Sequence, residues 1–237
     1  MPDSAMRSGM GHTDRAFEEE LRSVRVSLLR MAGHVEHMIG QAGRALVERD
    51  AQLAGEVIDE DQQVNRAEVE IDELCLRILA KRQPMASDLR FVTLAMKMVT
   101  DLERIADLAV NICERAVQLV DSTVVVHAEI PKMCSAVEGM VRNSIDAFVN
   151  RDVGKARAVI VEDDVVDRYY HRIFEDLLGC MQSQPAQLHE WIHVQSVAKW
   201  LERMGDHSTN LAELVIFMVE GRDIRHPRLH GPDKHGF

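Results

Sequence analysis

Asp101–Glu114 reads DLERIADLAVNICE, and Trp200–Glu213 reads WLERMGDHSTNLAE. At an offset of 99 the second stretch lays Glu202 on Glu103, Asp206 on Asp107, Asn210 on Asn111 and Glu213 on Glu114. Upstream, Arg151–Asp152 matches Arg49–Asp50 and Val159–Ile160 matches Val57–Ile58, both at an offset of 102. Self-similarity at a fixed offset marks a repeated structural unit. The three-residue difference between the offsets predicts a shorter connection before the last helix of the second copy.

Apolar periodicity says what each copy is made of. Phe17, Leu21, Val24, Leu28, Met31, Val35, Met38, Ala42 and Ala45 alternate steps of four and three. This is the seam of a long helix packed nearly parallel to its neighbours. A second helix carries Leu53, Val57, Val64, Ile71, Leu74 and Ile78, with its entry turn at Arg49–Asp50. A third starts after Pro84 and follows Leu89, Val92, Met96, Val99, Glu103, Ala106, Val110, Cys113 and Val117. The fold class is therefore all-α: two repeated antiparallel three-helix bundles, six long helices joined by short connections. The expected division is a tail at 1–14, repeats at 15–122 and 123–222, and a flexible tail at 223–237. In that last stretch His226, His230 and His235 lie among Pro and Gly with little apolar content, which reads as a tail without a metal role.

Composition agrees. Of the 237 residues 46% are hydrophobic and 4% aromatic, with 13 Met, a mixture that suits helices rather than strands. The formal net charge of −11 argues against sequence-independent binding of nucleic acid, which needs clustered basic residues. No secretory-type apolar leader and no run of the roughly 20 apolar residues needed to span a bilayer is present. Cys75, Cys113, Cys134 and Cys180 are scattered without a CxxC pair, as in reduced core cysteines of a cytoplasmic protein.

The chemistry lies in the carboxylates. Glu103/Asp107 and Glu202/Asp206 are spaced by four, so each pair shares one helix face. Glu103 also takes a seam position where an apolar residue is expected, and Asn111 and Asn210 extend each strip by a turn. On the middle helices Asp163 and Asp167 are likewise four apart; Asp61 corresponds to Asp163, while Asn65 stands where the second copy has Asp167. This leaves the first copy with less charge and an expected weaker or different ligand set. Carboxylates crowded in a half-dry groove repel one another unless protonated, paired or bound to a cation. Arg104 and Arg203 neighbour the glutamates but point about 100° away around the helix. Lys97 or Lys199 could pair from elsewhere, and a divalent metal is the third answer. Oxygen donors suit Mg, Mn, Ca or Fe, while the available histidines keep Zn or Ni open. A single such pair reads as a solvated face; two at matched places, one on a seam, set a bound metal beside that reading.

These residues, with RQPMASDLR (Arg82–Arg90), LERMGDHSTNLAE (Leu201–Glu213) and VERDAQLAGEVIDED (Val47–Asp61), resemble the PhoU family over about Phe17 to Gly221. The resemblance implies paired three-helix bundles, often dimeric. It implies a regulator that links a high-affinity phosphate ABC transporter, through its ATPase, to a phosphate-responsive sensor histidine kinase. Such regulators help hold the phosphate-starvation response off when phosphate is plentiful. It also implies metal at the Glu/Asp-x-x-x-Asp motifs, here Glu103/Asp107, Glu202/Asp206 and Asp163/Asp167, with Asp61 retained and Asn65 a departure. Arg82 and Arg90 flank a helix start suited to anions, but Asp88 already complements that dipole, so the turn reads as structural.

Two rival readings stand beside this one. A metal-independent helical adaptor would use the polar strips as interhelical networks. A di-iron bundle enzyme needs Glu-x-x-His on two helices. Glu190/His193 has that spacing, but its counterpart is Phe91/Leu94. With no Gly-rich phosphate loop and no local nucleophile signature, a non-enzymatic protein is expected.

Overall fold

A computed structural model describes residues 5–222 and Ile224, with side chains described from Arg15 onward. The order is α1 (Ala5–Glu48), α2 (Ala51–Arg82), α3 (Ala86–Gln118), α4 (Ile130–Asn150), α5 (Val153–Ser183), a 3-10 turn (Pro185–Gln187) and α6 (Leu188–Glu220). α1 begins at Ala5, inside the segment marked by sequence as a tail. The stretch expected as a C-terminal tail, with its three histidines, lies almost wholly outside the described residues.

Local chemistry starts and stops these helices in the same way in both copies. Asp50 and Asp152 have near-identical extended backbones, and each side chain accepts a hydrogen bond from the amide three residues on, at 2.9 Å. This is the N-cap arrangement that satisfies an otherwise orphaned first-turn N–H. The preceding Arg49 and Arg151 are both left-handed, with φ of 57° and 55°. In the first copy the Arg49 guanidinium also donates to the carbonyls of Leu119, Ser122 and Val124, fastening the crossover to α4. The predicted shortening of the connection is not found: three residues, Gln83 to Met85, separate α2 from α3, while Gln184 to Gln187, with the 3-10 turn, separate α5 from α6. The offset change is taken up because α6 starts at Leu188, the counterpart of Leu89 rather than of Ala86.

α1, α2 and α3 pack together, as do α4, α5 and α6, and the halves join along α1 with α4 and α3 with α6. α2 and α5 are thus the outer helices, each touching only its own unit among the described residues. The predicted α1 seam is buried from Leu21 to Ala45. α3 departs from its predicted stripe: Leu89 and Val117 are exposed, while Phe91, Leu94, Ala95, Met98, Leu102, Ile105, Ala109 and Ile112 are buried as well. A helix enclosed by α1, α2 and α6 needs a wide apolar face, which a single seam underestimates. Across the joint Phe91 stacks on Phe148 with ring centroids 5.1 Å apart. The Ser144 hydroxyl contacts two carbonyls, Met140 at 2.8 Å and Ser208 at 3.0 Å. Cys75, Cys113 and Cys134 are buried free thiols, each pushed up to about 12 chiefly by burial.

Candidate functional site

Each unit gathers its carboxylates where its middle helix meets its last. In the first, Glu103 and Asp107 of α3 face Asp61 of α2. Glu103, with 19% of its side chain exposed, is held above the ordinary carboxylate range by burial, then by the charges of Asp107 and Glu68. Asp61 is pushed up by burial and, less, by Asp107, against the pull of a hydrogen bond from Asn65. That bond, Asn65 Nδ2 to Asp61 Oδ2, is 2.7 Å, and Asp61 Oδ1 is buried with no partner. An anionic oxygen left in that state is costly and is a natural place for a cation.

In the second unit Asp163 and Asp167 of α5 meet Glu202 and Asp206 of α6. Asp163 rises from 3.8 to about 6, through burial first, then Asp167 and Asp206, with the Thr209 hydroxyl opposing. Asp206 is raised by burial and Glu202, with Lys199 opposing. The close approach of α5 depends on Gly205, where a Cβ would stand 3.0 Å from Asp163 Oδ1 and 3.3 Å from Val166 Cγ1. Asp206 also borders a groove of about 730 Å³ between α3 and α6, shared with Lys97, Asp101 and Asn210. At the same joint His207 Nδ1 is 2.8 Å from Asp101.

The sequence therefore named the carboxylates that come together, and missed others. Glu68 belongs to the first cluster: burial raises it, and Asp72 and Asp107 add to the shift. It restores the charge that Asn65 removes, so the expected deficit does not hold. Its signal was the spacing of Asp61, Asn65, Glu68 and Asp72, steps of four, three and four along one face of α2. Arg104 is an indifferent partner, as its position predicts, 3.6 Å from Glu103 and 3.9 Å from Asp107 with 60% of its side chain exposed. Asn111 is half-buried one turn past Asp107, and Asn210 lies in the groove. The turn at Arg82 is structural: its guanidinium is paired with Glu20 at 2.9 and 3.0 Å. His193 packs edge-on against His189, ring centroids 4.5 Å apart, rather than among other ligands.

All-oxygen donors, crowded charge and the partnerless Asp61 Oδ1 fit a hard cation in chemical type. Among the described residues no three His, Cys, Asp or Glu side chains already stand around one point as a metal would hold them, so binding requires side-chain convergence.

Fold and site define an all-α protein of two duplicated three-helix units, each with a carboxylate cluster between its second and third helices. The PhoU domain model matches residues 28–116 and 130–215. The chain is 41% identical over 217 residues to a phosphate-specific transport system accessory protein PhoU homolog of Pseudomonas putida, covering 91% of this chain and 85% of that one. It is 35% identical over 222 residues to the phosphate-specific transport system accessory protein PhoU of Escherichia coli K12, covering 91% and 90%. The crystal structure of PhoU from Pseudomonas aeruginosa superposes with a TM-score of 0.83 at 40% identity, covering 87% of this chain and all of that one. The phosphate transport system regulatory protein PhoU from Streptococcus pneumoniae gives a TM-score of 0.82 at 26% identity, covering 88% of this chain and 99% of that one. This chain belongs to the PhoU family.

Proposed function

We propose that this protein is an accessory regulator of phosphate uptake that helps keep the phosphate-starvation response repressed when phosphate is abundant. The observation that carries the reading is similarity along 91% of the chain to relatives whose names place them in a phosphate-specific transport system. No helix among the described residues is long and apolar enough to cross a membrane, so contact with a transporter would run through partner proteins. The proposed partners are the transporter ATPase and a phosphate-responsive sensor histidine kinase, met on the long helix faces, with the chain acting as a homodimer in the cytoplasm. The free buried thiols are consistent with that reducing compartment. The role is binding rather than turnover.

In this reading the clusters are metal sites. Asp61, Glu68, Glu103 and Asp107 would hold one ion between α2 and α3, and Asp163, Asp167, Glu202 and Asp206 another between α5 and α6. Bound metal would supply charge neutralisation. With a cation between them the carboxylates would tie the outer helix of each unit to its third helix and so set the surface that the outer helix offers. Mg, Mn, Ca and Fe suit the oxygen donors, and nearby His207 keeps Zn or Ni among the candidates.

Deleting the gene and measuring secreted alkaline phosphatase in phosphate-rich medium tests the role. High activity reversed by the intact gene is expected; normal repression in a strain lacking any paralogue would overturn it. The metal-independent adaptor is a second reading, favoured by the 2.7 Å Lys199–Glu202 pair, which neutralises part of one cluster without metal. Joint substitution of Glu103, Asp107, Glu202 and Asp206 by their amides separates the two: an adaptor keeps its regulation.

A further inference from the structure

The two clusters are built on the same scaffold but differ in two exchanges besides Asn65 for Asp167. At an offset of 99 Lys199 stands where the first unit has Thr100, and at 102 Tyr170 stands where it has Glu68. Lys199 Nζ is 2.7 Å from Glu202 Oε1 and 5.2 Å from the Tyr170 ring centroid. That second distance, over the ring face, is within cation–π range. Tyr170 Oη is itself 3.5 Å from Gln195 Nε2 of α6. In the first unit the Thr100 hydroxyl turns back to the Met96 carbonyl at 3.3 Å, and Glu68 adds a carboxylate where the ring would be. Each cluster therefore holds four carboxylates, Asp61, Glu68, Glu103 and Asp107 against Asp163, Asp167, Glu202 and Asp206. Among the described residues, however, only the second has an ammonium in direct hydrogen-bond contact with one of them, from a half-exposed Lys199. The cation nearest the first, Arg104, is on its exposed rim.

We propose that Lys199 is a tethered cation that occupies the second cluster in place of metal, so that the first cluster takes metal by preference and the second takes it only when Lys199 withdraws from Glu202. This rests on the metal reading of the clusters. A divalent ion approaching Glu202 and Asp206 meets an ammonium already paired there, and must displace it or bind beside a like charge. At Glu103 and Asp107 the cation it meets is Arg104, farther off at 3.6 and 3.9 Å and on the rim, so no direct short ion pair has to be broken there. Each cluster also keeps one buried partnerless oxygen, Asp61 Oδ1 in the first and Glu202 Oε2 in the second. One chain would thus carry two non-equivalent sites, the second opened by any change that draws α6 Lys199 away.

The test is titration of the full-length, chelator-treated protein with Mn²⁺ alone, with free ion followed by electron paramagnetic resonance. Wild type should bind one ion tightly, and Glu103→Gln with Asp107→Asn should abolish that binding. Lys199→Met keeps the aliphatic stem and removes the charge; it should raise affinity at the second cluster by about tenfold or more, a step expected for removing one nearby like charge. Lys199→Arg keeps the charge and should behave as wild type, which separates loss of charge from a packing change. Two equal sites in wild type, unchanged by Lys199→Met, would overturn the tethered-cation proposal while leaving the metal reading standing. No Mn²⁺ bound by wild type or by Lys199→Met would overturn both.

Discussion

Asp163 shows what one side chain contributes. Its carboxyl rises from 3.8 to about 6 in the folded chain because burial, then Asp167 and Asp206, disfavour its charge. Between those values the folded state binds more protons than the unfolded state, so this group's contribution to stability is full below about 3.8 and is lost as pH rises through about 6. Asp61, Glu103 and Asp206 move in the same direction. In chelator, wild type should therefore lose melting temperature relative to Asp163→Asn as pH goes from 5 to 7. A difference that stays flat over that range would mean the folded carboxyl is not raised. Divalent ion should narrow the gap at pH 7 by neutralising the same repulsion.

At the scale of the element, the two capped entries are a matched pair of experiments. Asp50→Ala and Asp152→Ala each remove one cap hydrogen bond to a first-turn amide, and each should cost about 1 kcal/mol of unfolding free energy. Denaturant midpoints would check this, and a cost near zero at either site would show that water replaces the cap. The cap bonds themselves came from the structure, but the entry turns were legible from sequence, because the Arg–Asp step repeats at matched places before each middle helix. The width of the α3 face was not. Its seam positions were read correctly at Val92, Val99, Ala106 and Cys113, but burial of Phe91, Leu94, Ile105 and Ile112 depends on how many helices surround α3. The membership of Glu68 falls between these cases: its helix face could be read, but its neighbours across the groove could not.

For the whole molecule, the joint between halves decides how the protein unfolds. Phe91 and Phe148 stack across it, and α1, α3, α4 and α6 share one buried cluster of side chains. We therefore expect a single cooperative transition by calorimetry, with calorimetric and van't Hoff enthalpies equal, rather than one transition per repeat. Phe148→Ala should cost about 3–5 kcal/mol, the usual range for deleting a buried aromatic side chain. It should lower the melting of both repeats together, and two separate transitions in that variant would show that the halves are held apart energetically.

The sequence by itself determined the duplication, the helix count, the turns at Arg49–Asp50 and Arg151–Asp152 and the seam carboxylates. All of these are written in spacing along one chain, and helix geometry converts spacing into a shared face. Only the tertiary structure decided which charges meet. Lys199 against Glu202 needed the lysine's reach and the Tyr170 ring beside it. Glu68 beside Glu103 needed the lateral register of α2 on α3. The pairing of Asp101 with His207 needed the packing of the two halves. Contacts between helices depend on crossing and register, which packing of the whole core fixes and which no single helix encodes.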